Sequence, residues 1–178
     1  MRNFKIEFQL EGNGWLKIEL SLSGFYYEFM ASDIGPDPIE QLISVALNLI
    51  NIDEKPEYFT ETVECYGEPY GLNIVFMPSD NELQVSLYFL EDSDLSPKGD
   101  LGKKLASGLV EIENCCEEIY LTVKNVLRQN GFLYYFNHWH EFPIGMFIGL
   151  HNSLQKRPTI PEGNISTELR SLENILTF

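Results

Sequence analysis

His138-Trp139-His140-Glu141 is the densest run of metal-ligand and acid-base side chains in the sequence. On a strand, alternate residues share a face, so His138 and His140 would point together and could hold a transition metal with a third ligand such as His151. No spacing rule assigns that third ligand, and a helix would separate the two imidazoles altogether. The competing reading is an aromatic-rich turn from Phe132 to Phe142, ended by Pro143, with half-exposed imidazoles at a helix start. The expectation is no metal and no cofactor, with a metal-dependent enzyme built on His138, His140 and Glu141 or His151 as the alternative.

The three cysteines make no better nucleophile. Cys115 and Cys116 are followed by Glu117 and Glu118, whose charge raises a thiol pKa rather than lowering it. Cys116 falls on an apolar helical stripe and Cys65 on the inward face of a strand, where a thiol behaves as a small hydrophobe. An odd number of cysteines, two of them adjacent, argues against a secreted disulfide framework and for a reducing cytoplasm. Asp92-Ser-Asp-Leu-Ser96 starts like a calcium loop, but Pro97 stands where the turn requires glycine and Lys103 where a bidentate glutamate belongs. Gly12-Asn-Gly14 lacks the helix and lysine of a phosphate cradle, and there is no Gly-x-Ser-x-Gly elbow. No catalytic residue is assigned, and a non-enzymatic protein is the expectation.

Charge is the more informative pattern. Between Ile18 and Pro97 there are sixteen carboxylates and one cationic side chain, Lys55, whereas the flanking segments hold eleven acids and eleven bases. The whole net charge of −15 thus lies in one 80-residue stretch. Such a block creates a field suited to a basic partner and repels phosphates, which argues against nucleic acid as a ligand. A content of 44% hydrophobic and 13% aromatic residues excludes disorder in spite of the charge. The longest apolar runs, Leu42 to Ile50 and Phe142 to Leu150, reach about half the length of a membrane span. The N-terminus alternates polar with apolar residues instead of presenting a signal peptide, so the expected location is the cytoplasm, without membrane contact.

The elements that would carry this charge are mostly strands. Phe4, Ile6, Phe8 and Leu10 alternate with polar residues, Glu11-Gly-Asn-Gly14 supplies a hairpin turn, and Leu16, Ile18, Leu20 and Leu22 face inward on a second strand. Ser23-Gly24 then leads to a third strand around Phe25, Tyr27 and Phe29. A helix follows, with Asp37 as cap, Pro38 in the first turn, Glu40 at the capping-box position and Ile39, Leu42, Ile43, Ala46, Leu47 and Ile50 as its stripe, which should pack on the sheet. Three further strands are predicted at 58–66, including Phe59, Val63 and Cys65, at 70–77 and at 82–90. The second half turns helical: Ile112, Cys116, Ile119, Val123, Val126 and Leu127 form a stripe closed by Asn130-Gly131 as a left-handed cap, and shorter helices are predicted near Ile144 to Gln155 and Ser166 to Leu176. The loops from Glu91 to Gly102 and Arg157 to Gly163 are connectors. The fold class is α+β: one domain over 1–178, with an acidic sheet-rich half at 1–97 and a helical half at 98–178. Its sheet is mainly antiparallel and six-stranded, with a helix inserted after strand three and the C-terminal helices packed against it.

On that sheet Trp15, Glu19, Tyr26, Glu28, Glu64, Tyr66, Glu68, Gln84 and Tyr88 project away from the covered side, and aromatics among carboxylates make a binding surface. The plain alternative is a solvated face whose aromatics form cross-strand pairs. A loop rim bearing Asp33, Asp37, Asp53, Glu54, Glu57, Glu91, Asp92 and Asp94 is a second place for contact. A second copy of the chain could also cover a face bearing Trp15, Tyr26 and Tyr88, so a homodimer is open. The run Met30-Ala-Ser-Asp-Ile-Gly-Pro-Asp-Pro-Ile-Glu-Gln-Leu-Ile, the turn Glu68-Pro69-Tyr70-Gly71 and the stretch Tyr134…Trp139…Phe142-Pro143 resemble those of small acidic bacterial immunity proteins of polymorphic-toxin and contact-dependent-inhibition systems. The resemblance spans about residues 15 to 150. It implies a cytoplasmic antidote that binds a basic toxin domain and covers its active or substrate-binding surface. An inhibitor that mimics nucleic acid in the basic cleft of a nuclease or regulator is a further alternative.

Overall fold

The computed structural model describes residues 3–51, 60–79, 82–92, 99–155 and 165–177. Phe59, Lys55, the rim residues Asp53, Glu54, Glu57 and Asp94, and the connector from Arg157 to Gly163 lie outside the described residues. The alternation near the N-terminus produces the expected meander: β1 (Phe4–Gly12), β2 (Trp15–Leu22) and β3 (Phe25–Ser32) pair antiparallel in that order. Its turns are tight because Gly12, Asn13 and Gly14 adopt φ of 81°, 54° and 79°, and Ser23 and Gly24 adopt 49° and 87°. The inward set of β1 and β2 is buried, whereas Phe25 and Tyr27 on β3 are half-buried and stack on each other at 6.2 Å.

Helix α1 (Pro38–Ile50) starts where the sequence says it should. The Asp37 carboxylate accepts a hydrogen bond from Ile39 N–H at 3.0 Å, and Pro38 occupies the first turn. Its buried stripe packs on the later helices more than on a sheet, which it meets along β4 (Glu61–Tyr66). There the Gln41 side chain donates to the Glu64 carbonyl and accepts from the Glu64 N–H, both at 3.0 Å. One amide thus satisfies the free edge of β4 as a neighbouring strand would.

The single six-stranded sheet is corrected by the topology. β4, β5 (Gly71–Ser79), β6 (Glu82–Leu90) and β7 (Lys103–Glu111) form a separate four-stranded antiparallel sheet, and the segment expected to be helical after residue 97 opens with that seventh strand. Gly108 sits within β7. A Cβ at Gly108 would stand 2.2 Å from Ser23 Oγ, so the glycine admits the β2–β3 turn rather than ending the strand.

Helix α2 (Ile112–His138) is longer than the expected one. Gly131 does take a positive φ of 73°, but its ψ of 169° is extended rather than left-handed helical, and the chain resumes a helix over the residues expected to form an aromatic turn. α3 (Ile144–Leu154) and α4 (Ile165–Thr177) complete the described elements. α2 runs along β1, where the buried Thr122 hydroxyl donates to the Ile6 carbonyl at 2.5 Å and occupies an edge acceptor. The inward faces of both sheets and the buried residues of α1, α2 and α3 share one apolar cluster, which α4 joins through Ile175.

Candidate functional site

The outward residues of the first sheet form three rows across its strands. Glu7, Glu19 and Glu28 are cross-strand partners in one row, Lys5, Ser21 and Tyr26 lie on one side, and Gln9, Lys17 and Met30 on the other. Three like charges in direct register repel, and the sheet answers with cations in the adjacent rows. Lys17 Nζ lies 2.7 Å from Glu19 and 3.0 Å from Glu28, while Lys5 pairs with Glu7. Bonding to Lys17 holds the Glu19 carboxyl below its ordinary pKa, and hydrogen bonds to Glu19 and Glu28 raise that of the Lys17 ammonium. The Tyr26 ring is 58% exposed, and its hydroxyl donates to Glu28 at 3.4 Å. Partial desolvation, followed by the charges of Glu19 and Glu28, raises the Tyr26 pKa.

The charge block is therefore diluted here. Lys17 stands one residue outside the acidic stretch in sequence and between two of its carboxylates in space.

The proposed contact residues do not form one face. Trp15, Glu19, Tyr26 and Glu28 share the first sheet, whereas Glu64, Tyr66, Gln84 and Tyr88 belong to the second. Glu68 lies in the β4–β5 turn before a cis peptide bond to Pro69. The second group is also engaged within the fold. A Cβ on Gly35 would meet the Tyr66 ring at 2.4 Å, Tyr66 donates to Glu64 at 3.4 Å, and Lys104 sits 5.6 Å from the centre of the Tyr88 ring. Between them Asn73, Val75 and Ser86 are buried, and Asn73 donates its amide to the Leu101 carbonyl at 3.2 Å. The physical reason for the division is that alternation defines sides within each sheet but not across two sheets.

The histidines disperse too. His138 ends α2 with its ring 4.2 Å from that of Tyr134, His140 meets Trp139 edge to face at 4.9 Å, and His151 on α3 shares a 2.8 Å hydrogen bond with the Tyr120 hydroxyl. The extended backbone that would align His138 with His140 is replaced by a helix end. Among the described residues no three His, Cys, Asp or Glu side chains gather as a metal would need. All three cysteines are buried; burial pushes the Cys116 thiol up to about 12 and raises Cys65 and Cys115 as well.

One polar centre has no local signal in the sequence beyond its helix cap. Asp37, expected on the contact rim, is instead only 5% exposed and accepts from Tyr135 Oη at 2.5 Å and Trp139 Nε1 at 3.0 Å in addition to Ile39 N–H. Three donors and a helix N-terminus compensate a carboxylate that burial would otherwise penalise. Beside it, Gly14 N–H donates to the His138 carbonyl at 3.1 Å and fixes the first hairpin to the end of α2. The centre is enclosed and positions elements, whereas Glu19, Tyr26, Glu28 and Met30 of the first sheet's outer face form an accessible patch.

Comparison with known proteins finds no matching family model, curated protein or solved structure. Among the described residues, no helix is long and apolar enough to cross a membrane.

Proposed function

We propose that the protein is a non-enzymatic binder of a basic protein, an immunity protein that neutralises a toxin domain by covering its active or substrate-binding surface. The observation that supports this reading is the outer face of the first sheet, where Tyr26 and Met30 are exposed beside Glu19, Glu28 and the half-buried Trp15. Aromatic side chains supply rigid contact area, the paired carboxylates set register, and the net charge of −15 supplies long-range attraction. Steering of this kind carries association toward the order of 10⁸ per molar per second at low salt.

The test is co-expression with a basic toxin domain, taken from a neighbouring gene where one is encoded there. Growth should be restored, and the protection should be weakened by Glu28→Lys or Tyr26→Ala but not by Glu173→Lys on α4. Equal effects of the three substitutions, or an association rate indifferent to salt between low and physiological strength, would reject the reading.

A further inference from the structure

Helix α2 does not lie flush against the outer edge of the first sheet. Between them is a cleft of about 240 Å³, lined by Glu7 and Gln9 of β1, Glu19 of β2, and Thr122, Asn125 and Gln129 of α2, with Phe8 completing the wall. Glu7 and Glu19 are cross-strand partners, so their carboxylates enter side by side. The opposite wall is held at fixed height because Thr122 is committed to the Ile6 carbonyl, which places Asn125 and Gln129 on the same side of the helix one and two turns further on.

No lining residue is cationic, and the acceptors are two carboxylates and three carboxamides. An anion would be repelled, and an apolar group would leave these acceptors unpaired. Calcium, which takes six to eight oxygens at about 2.3–2.6 Å, is the competing cation for such a lining, and the calcium arm of the test below separates the two. A planar cation with five donors and no acceptor fits the set. Lys5 binds Glu7 in an exposed pair worth only about 0–1 kcal/mol, and Lys17 divides its ammonium between Glu19 and Glu28, so both cleft carboxylates keep acceptor capacity for a better-matched donor.

We propose that this cleft receives a guanidinium group, and, resting on the function proposed above, that one arginine side chain of the basic partner fills it. The test titrates N-acetyl-arginine methylamide into the full-length ¹⁵N-labelled protein, with the neutral citrulline counterpart and calcium chloride as controls. The arginine probe should give saturable shifts at Gln9, Asn125 and Gln129 with a dissociation constant in the millimolar range, about −4 kcal/mol at 1 mM. The citrulline probe should give none, and Glu19→Gln or Asn125→Ala should weaken the response at least tenfold without lowering the melting temperature. Equal shifts from citrulline, shifts confined to other surfaces, or saturation by calcium would overturn the assignment. The probe is independent of any protein partner. Arginine binding that persists while Glu28→Lys leaves partner association unchanged would reject the sheet-face reading alone, and loss of the probe response with intact partner binding would reject the cleft alone.

Discussion

On the outer side of the first sheet, Tyr26 and Glu28 reach solvent and Lys17 bridges two carboxylates; at the same depth of the second sheet, Asn73, Val75 and Ser86 are buried and Asn73 holds the chain at Leu101. Both sheets are antiparallel and both alternate. The difference lies in what the rest of the chain does: α2 closes only the edge of the first sheet, whereas the chain around Leu101 is bonded across the outer side of the second. A period of two therefore reports which residues share a side, and cover by another segment decides whether that side is a surface.

A charge placed on each outer face should separate the two sheets most. Val75→Asp buries an unpaired carboxylate and should cost about 3–5 kcal/mol in urea unfolding, while Ser21→Asp on the first sheet should stay within about 0.5 kcal/mol. Similar losses would mean that the two faces are covered alike. Asn73→Ala should cost about 1–3 kcal/mol, because it deprives the Leu101 carbonyl of its donor, and amide exchange near residue 101 should quicken.

Titration sharpens the contrast on a smaller scale. Cys65 lies beneath the second sheet and Cys116 against the Ala46 carbonyl of α1, both with raised thiol pKa values, whereas the first sheet holds no cysteine. The unfolded chain releases these protons near pH 8.5 and the folded chain retains them, so their contribution is complete below that pH and is lost as pH rises toward the folded values. Urea midpoints should fall above about pH 9, and less so in Cys116→Ala. On the first sheet Lys17→Met should change stability by less than about 1 kcal/mol. Its clearer signature is at Glu19. The depressed pKa means that stabilisation is present above the ordinary carboxylate range and lost as pH falls through the folded value, so NMR titration should show the Glu19 carboxyl moving upward once Lys17 is gone.

Local signals carried the elements they describe. Asp37-Pro38 and the apolar stripe behind them set α1, and Gly12-Asn13-Gly14 set the first hairpin, because capping and positive φ depend on a few adjacent residues. Features that depend on distant partners were not legible. The close approach of Gly108 to Ser23 joins residues far apart in the chain, and nothing near Asp37 announces that Tyr135 and Trp139 will bond to the same carboxylate. The division of the strands into two sheets is equally non-local, and with it the division of Trp15, Glu19, Tyr26 and Glu28 from Glu64, Tyr66 and Tyr88. The lysine that partners Glu19 and Glu28 stands one residue before the acidic block, and only the register of β2 with β3 places it between the two carboxylates.

The hydrogen bond from Thr122 to the Ile6 carbonyl joins residues 116 positions apart. During synthesis at about 5–20 residues per second, β1 emerges roughly 6–23 s before the residue that closes its edge. Throughout that interval the nascent hairpin presents an unpaired strand edge, the kind of surface that recruits other chains. Charged side chains such as Lys5 and Glu7 along that strand disfavour such pairing, as charges on an edge strand do in general.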